Sequence, residues 1–210
     1  MGYPGLDING KVCLVSGGTS GLGLAIARGL VQAEAKVVVG SSSAQKVEAA
    51  KEQLGGAHDA IGLDVTDEGS VRAVMDHVQK KYGRLDAVIN AAGIIRRQPS
   101  LEMSVADFRR IVDVNLVGTF IVDQAAGRVM KDQTPDVQGQ RGAIVNIVSL
   151  NAFVSLSEVL AYAAGKSGVM GLIRGLANEW AQYGIRVNGL APGVFPTALN
   201  RSLIEGTPRG

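Results

Sequence analysis

Tyr162 and Lys166 are the first pair of residues whose types and spacing could carry chemistry. They fall in a predicted helix over 158–182, and residues four apart lie on one face of a helix. A tyrosine in water titrates near pH 10, so acid–base work at neutral pH requires a pKa about 3 units lower, or about 4 kcal/mol. The nearby lysine charge favours the phenolate and supplies part of that shift. The alternative interpretation is an ordinary solvent-exposed pair on a helix.

A serine thirteen residues before the tyrosine is the third candidate. Ser149 directly follows a predicted strand over 143–148. Its hydroxyl can hydrogen-bond a substrate carbonyl oxygen and thereby polarise the carbonyl group. We therefore treat Ser149 as a candidate substrate-binding residue.

A glycine-rich turn near the start of the chain predicts an anion site. A short apolar run at 12–15 indicates a buried strand, the turn carries Gly17-x3-Gly21-x-Gly23, and a helix is predicted to follow. The first N–H groups of a helix are unpaired and its dipole is positive there, which suits a pyrophosphate. The spacing differs from the commoner G-x-G-x-x-G pattern. An ordinary strand–helix turn is the alternative.

The elements that must position these residues alternate along the chain. Strands are predicted at 12–15, 36–40, 57–63, 86–90, 143–148 and 185–190, and helices at 22–31, 44–54, 67–82, 104–129 and 158–182. Alternation with continuously apolar strands predicts a parallel sheet covered on both faces. Right-handed crossovers and the glycine turn after the first strand favour the order 3-2-1-4-5-6. The fold class is therefore a three-layer, doubly wound, Rossmann-like α/β domain over residues 1–210.

Composition excludes several other classes of protein. Hydrophobic residues make up 46% of the chain, so a core can be buried. The net charge of +2 comes without a basic run, which argues against nucleic acid as a partner. The only cysteine is Cys13, so neither an internal disulfide nor a cysteine-based metal site is expected. No apolar run reaches membrane length, and we predict a cytoplasmic protein without a bound metal.

The chain resembles the short-chain dehydrogenase/reductase family in motifs that run over nearly its whole length: Gly17-x3-Gly21-x-Gly23, Asp64, Asn90-Ala91-Ala92-Gly93, Asn115, Ser149, Tyr162-x3-Lys166, and Pro192-Gly193 with Thr197. The resemblance implies that Tyr162 is the general acid/base, that Lys166 lowers its pKa and binds the nicotinamide ribose, and that Ser149 holds the substrate oxygen. It also implies that Asn115, inside a predicted helix, supports a water that relays protons to Lys166. Because apolar neighbours flank Asn115, a solvent-facing position is the weaker alternative.

The same resemblance implies a dinucleotide site built from segments that follow the strands. Its predicted members are Gly17, Thr19, Ser20, Gly21, Leu22, Gly23, Ser41, Ser42, Asp64, Val65, Asn90, Ala91, Ala92, Gly93, Tyr162, Lys166, Pro192, Gly193, Val194 and Thr197. The second predicted strand lacks the acidic residue that binds the adenosine ribose in NAD enzymes. Serine hydroxyls and Lys46 can face a 2′-phosphate without repulsion, so NADP(H) is favoured over NAD(H). The alternative is a polar turn with a helix cap.

Two arginines point to the substrate class. Arg96 and Arg97 follow Gly93, and arginines suit carboxylate recognition. This segment resembles the family's sugar-acid dehydrogenases, of the gluconate 5-dehydrogenase and 2-dehydro-3-deoxygluconate dehydrogenase type, with Arg97 as a substrate contact. A solvated basic loop is the alternative at the residue level. A 3-oxoacyl carrier-protein reductase, or a non-catalytic dinucleotide-binding protein, is the alternative at the level of function.

Assembly and length give two further expectations. Apolar residues spread around much of the predicted helix 158–182, so a second subunit is expected to cover part of it, as in a homodimer or homotetramer. Family members usually continue through a further helix and a seventh strand. The resemblance therefore implies that the 210-residue sequence is part of a longer protein whose C-terminal strand is missing here.

Overall fold

A six-stranded parallel sheet forms the centre of the protein. A computed structural model describes residues 7–154 and 156–195. The strand order is β3-β2-β1-β4-β5-β6, which confirms the predicted topology. The strands are β1 (Val12–Ser16), β2 (Lys36–Ser41), β3 (Asp59–Gly62), β4 (Ala87–Asn90), β5 (Gly142–Ile147) and β6 (Ile185–Leu190).

Helices cover both faces of this sheet. They are α1 (Gly21–Gln32), α2 (Ala44–Leu54), α3 (Glu68–Tyr82), α4 (Val105–Val112), α5 (Gly118–Asp132) and α6 (Leu160–Trp180). Side chains alternate across the strands, so β1 sends Val12 and Leu14 into a core with α3, α5 and α6. Cys13 and Val15 enter a second core with α1 and α2. Three layers therefore result, as the continuously apolar strands predict.

Short polar side chains fix where several helices begin. Ser43 Oγ accepts a hydrogen bond from the Lys46 N–H at α2, and Ser104 Oγ accepts one from Asp107 N–H at α4. The Asp67 side chain accepts from the Gly69 N–H at α3. Each cap satisfies an N–H that the first helical turn leaves unpaired.

The long helix predicted over 104–129 is interrupted. A π-helical turn at Asp113–Val117 separates α4 from α5. Such a turn inserts an extra residue without breaking the helical path, so the apolar pattern continues and hides the change. Asn115 lies inside this turn and is fully buried.

Helix α6 also differs from its prediction. It begins at Leu160, because Glu158 adopts a left-handed backbone conformation with φ +69°, which a helix cannot contain. Its large apolar residues are mostly covered by β6, α4 and the π turn of the same chain, with Leu160 as the exposed exception. Apart from Leu160, the exposed positions of this helix are Ala164, Ser167, Gly171, Arg174, Gly175, Asn178 and Glu179. The expected large apolar outer face is therefore not present on this helix.

Candidate active site

The carboxyl ends of three neighbouring strands bring most of the predicted site together. Ser16 on β1 is level with Asn90 on β4, and Asn90 is level with Asn146 on β5. The glycine turn, the segment 91–93 and Ser149 follow these positions directly. The parallel topology therefore gathers them at one edge of the sheet, where ligands of doubly wound sheets bind.

The glycine turn is packed too tightly for side chains. Gly17 has φ +67°, and a Cβ there would lie 2.6 Å from the backbone nitrogen of Ala92. A Cβ on Gly18 would lie 2.8 Å from Cγ1 of Val39. Ser20 precedes α1, but no side-chain hydrogen bond from it caps that helix. The first N–H groups of α1 are therefore available to an anion, and this cradle fits a dinucleotide pyrophosphate.

The residues predicted to contact the adenosine part of the cofactor differ in their burial and in their hydrogen bonds. The Asp64 carboxylate accepts hydrogen bonds from the N–H (2.9 Å) and Oγ1 (2.7 Å) of Thr66, and these bonds lower the pKa of Asp64. The Val65 side chain is buried and packs against Gly118. Ser41 Oγ accepts from the Ser43 N–H at 3.2 Å, while Ser42 is exposed.

Tyr162 and Lys166 have different hydrogen-bond partners, Ser149 for the tyrosine and the Ile147 carbonyl for the lysine. Lys166 is 5% exposed, and its Nζ donates to the Ile147 carbonyl at 2.6 Å. Burial lowers the pKa of Lys166 to about 8. Nζ lies 5.8 Å from the centre of the Tyr162 ring.

The expected lowering of the Tyr162 pKa is not found in the protein alone. Burial raises the pKa of Tyr162, and a hydrogen bond with Ser149 acts in the opposite direction. The physical reason is that the phenol leaves water while the lysine ammonium is directed at the Ile147 carbonyl. The protein by itself therefore favours the protonated phenol.

Asn115 joins this group through the π turn. Its Oδ1 accepts from the Ile94 N–H at 3.1 Å, and its Nδ2 donates to the Ile94 carbonyl at 2.7 Å. Its backbone carbonyl accepts from Thr119 Oγ1 at 2.9 Å. A Cβ on Gly93 would lie 2.6 Å from Asn115 Oδ1 and 3.8 Å from Lys166 Nζ. Asn115, Gly93 and Lys166 are thus in close proximity.

A cavity of about 160 Å³ opens beside Ser149 and Tyr162. Pro192, Gly193 and Val194, which are predicted cofactor contacts, contribute to its wall, whereas Thr197 lies outside the described residues. Most of the remaining wall is apolar, from Leu22, Ile95, Ile147, Leu156 and Phe195.

Asn151 is a polar wall residue that the sequence analysis missed. It lines the same cavity, and its backbone N–H donates to Ser149 Oγ at 3.2 Å. Its Oδ1 is buried and makes no hydrogen bond with any described residue. Its position two residues after Ser149 was the available signal.

The two arginines differ in how they are paired. Arg96 forms an ion pair with Asp107 at 2.6 Å, which occupies its guanidinium. Arg97 lies 3.9 Å from Glu158, beyond hydrogen-bond distance, and its buried Nε has no partner among the described residues. Ile95 lines the cavity, but Arg97 is not among the described residues of its wall.

The side chain of Asn90, a predicted cofactor contact, is directed into the protein interior. The side chain is 3% exposed and bonds to Ser16, Asp123 and Asn146 inside the protein. Asp123 and Asn146 were not predicted from the sequence. An acidic residue on the apolar face of α5, beside Val122 and Ala126, was the available signal.

Residues 7–154 and 156–195 contain neither a candidate membrane span nor a candidate metal cluster. No helix in that part of the chain is both long and apolar enough to cross a bilayer. No group of three or more histidine, cysteine, aspartate or glutamate residues in it could hold a metal ion.

Similarity to known proteins agrees with this geometry. The family model described as short chain dehydrogenase matches residues 11–207. The chain is 41% identical to a 2-dehydro-3-deoxy-D-gluconate 5-dehydrogenase from Formosa agariphila, over 96% of this chain and 76% of that protein. It is 40% identical to a D-threitol dehydrogenase from Mycolicibacterium smegmatis, over 97% of this chain and 76% of that protein.

A solved structure is similar across nearly the whole chain. The crystal structure of gox2181 superimposes with a TM-score of 0.89 at 33% identity, and the match covers 95% of this chain and 78% of that one.

Proposed function

The chain belongs to the short-chain dehydrogenase family, and we propose that it transfers a hydride between NADP(H) and the secondary alcohol or ketone carbon of a sugar acid. The reaction class follows from the family: the protein is an oxidoreductase of CH–OH groups that uses a nicotinamide dinucleotide. The observation that carries the finer proposal is the cavity beside Ser149 and Tyr162, with the buried Lys166 bonded to the carbonyl of its wall residue Ile147.

Tyr162 is the proton donor in the direction of reduction. Burial raises the pKa of Tyr162, so the phenol carries its proton when a carbonyl oxygen arrives. Ser149 Oγ holds the same oxygen and stabilises the negative charge that develops on it. In oxidation the alcohol proton returns to the Tyr162 oxygen. A nicotinamide bound at this edge supplies or accepts the hydride.

Lys166 and the glycine turn hold the cofactor. The Ile147 carbonyl fixes the Lys166 ammonium at 2.6 Å, which leaves its other N–H groups for ribose hydroxyls. The N–H groups at the start of α1 bind the pyrophosphate. Asn115 shapes the π turn next to Lys166, and its predicted proton-relay role is retained as part of this proposal.

NADP(H) is the preferred cofactor in this proposal. The end of β2 carries Ser41 and Ser42, and no carboxylate there would repel a 2′-phosphate. Ser43 caps α2, so the alternative interpretation as a helix cap is correct for that one serine. Ser41 and Ser42 are the residues that we assign to the adenosine ribose.

A sugar acid is the preferred substrate because Arg97 forms only a long ion pair with Glu158 and no hydrogen bond to it. Its Nε is unpaired, and Glu158 stays 3.9 Å away. The named activities of two relatives, on 2-dehydro-3-deoxy-D-gluconate and on D-threitol, support an acid or a polyol. Asn151, in the cavity wall, provides an amide for a further hydroxyl of either.

Assembly and location complete the proposal. Exposed apolar side chains at Val105, Val117, Phe120 and Leu160 favour a homodimer or homotetramer. Light scattering that gave the mass of one chain would refute this. A cytoplasmic location stays a prediction from the sequence.

Initial rates decide the substrate class. NADPH and NADH are compared with 5-ketogluconate, a four-carbon ketose, a neutral monoketone and an acetoacetyl thioester. We expect the fastest turnover with NADPH and the keto acid. Preference for the thioester would favour the carrier-protein reductase alternative, and cofactor binding without turnover on any substrate would favour a non-catalytic protein.

A further inference from the structure

A ring of buried polar side chains lies directly beneath the site. Ser16, Asn90 and Asn146 are level with one another on β1, β4 and β5. Asp123 reaches them from α5 on the face of the sheet that α5 covers. All four residues are at most 3% exposed.

The hydrogen bonds among three of these residues form a closed ring. Asn90 Nδ2 donates to Asp123 Oδ1 at 2.6 Å and to Asn146 Oδ1 at 2.9 Å. Asn146 Nδ2 donates to Asp123 Oδ2 at 2.8 Å. Ser16 Oγ donates to Asn90 Oδ1 at 3.0 Å from outside the ring. Both carboxylate oxygens accept, as an ionised aspartate does, so the ring ties two strand ends to one helix.

The three strand ends that carry Ser16, Asn90 and Asn146 each lead directly into the site. Gly17 follows Ser16 and begins the turn of the pyrophosphate cradle. The segment 91–93 follows Asn90 and packs closely on Gly17. A Cβ added to Gly17 would lie 2.6 Å from the backbone nitrogen of Ala92. Ile147 follows Asn146, and its carbonyl holds Lys166. A shift of one strand end would therefore move a group that contacts the cofactor.

Placing the Asp123 carboxylate in this buried position is energetically costly. Desolvation raises the pKa of Asp123 to about 7, although the two amide hydrogen bonds act against the rise. An apolar or neutral side chain would fill the same volume without that penalty. The carboxylate accepts hydrogen bonds from two side-chain amides at once and thereby fixes the orientations of both.

We propose that Asp123 is a positioning residue for the reaction: through Asn90 and Asn146 it sets the strand ends that carry the cofactor-facing segment 91–93 and the carbonyl that anchors Lys166. This inference rests on the proposed function, because it takes the assigned roles of Lys166 and the 91–93 segment as given.

The first test is Asp123→Asn, which keeps the volume but places an N–H₂ group against a donor amide. We expect kcat/KM to fall and the Kd for NADPH to rise, each by about 10- to 100-fold, since small displacements at a reacting centre cost that much. Kd is measured by cofactor fluorescence, at a temperature where every variant is folded. Val122→Ala is the matched control, because Val122 is the fully buried neighbour on α5 and lies outside the ring.

The second test is the exchange Asp123→Asn with Asn146→Asp. In the double variant Asn90 Nδ2 still donates to both partners, and the amide at 123 donates to the carboxylate at 146, so every ring bond can re-form. We expect it to recover wild-type Kd and kcat/KM to within about 3-fold, which is less than 1 kcal/mol. If Asp123→Asn alone does not fold, recovery of Kd in the double variant supports the proposal and its failure overturns it.

The outcomes separate this proposal from a structural role and from the proposed function. An Asp123→Asn variant with wild-type Kd and kcat/KM, or one no worse than Val122→Ala, would overturn the positioning role. An active Tyr162→Phe variant would instead overturn the proposed function, and the Kd measurements would still report on Asp123.

Discussion

The buried Asp123 predicts an unusual dependence of stability on pH. Burial raises its pKa from 3.8 to about 7 in the folded protein, so the folded state binds a proton more tightly than the unfolded state. The stability from this group is fully present below pH 3.8 and is lost as the pH rises through about 7. The expected loss between pH 5 and pH 8 is roughly 2 to 3 kcal/mol, from 1.36 kcal/mol per pKa unit.

Urea unfolding at pH 5, 6, 7 and 8 measures this effect when the wild type is compared with Asp123→Asn. Carboxylates with lowered pKa, such as Asp59 and Asp64, change stability with the opposite sign but are common to both proteins. Their contributions cancel in the difference between the two curves. The wild type should lose roughly 2 to 3 kcal/mol more than the variant over this range. Parallel curves, or a wild type that gains stability relative to the variant, would refute the reasoning.

Three further predictions concern the cofactor and the substrate. Ser41→Asp should reverse the preference for NADPH over NADH, because a carboxylate there repels a 2′-phosphate, and equilibrium Kd values measure the reversal. Arg97→Ala should raise KM for a keto acid by about 10-fold, the loss of one charge-assisted contact, and leave a neutral ketose unaffected. Arg96→Ala is its control, since Asp107 already pairs with Arg96. Lys166→Ala should weaken NADPH binding and lower kcat together, and an unchanged Kd would remove its ribose role.

Much of the fold could be predicted because its signals are local. Apolar runs marked the strands, and the glycine turn after β1 fixed the strand order through general rules of chirality. The spacing of Ser149, Tyr162 and Lys166 predicted that they lie near one another, because strand ends and one helix face determine their positions.

The remaining features depend on contacts between distant segments. The π turn around Asn115 adds a residue without changing the apolar pattern. The ring of Asp123 forms only when β4, β5 and α5 come together, so nothing beside Asp123 in the sequence reveals its partners. The rise in the Tyr162 pKa comes from burial, and the Lys166 Nζ donates to the Ile147 carbonyl; neither follows from a spacing of four residues.

Tyr162→Phe tests the central claim most directly, because it removes one oxygen and leaves the ring in place. Single-turnover and steady-state rates of Tyr162→Phe with the preferred ketone are compared with those of Tyr183→Phe. This control makes the same change at a tyrosine outside the site. The account predicts that kcat falls by at least about 100-fold in Tyr162→Phe, with little change in the Kd for NADPH and no change in the control. A Tyr162→Phe enzyme that turns over at a near-normal rate would contradict the assignment of Tyr162 as the general acid/base.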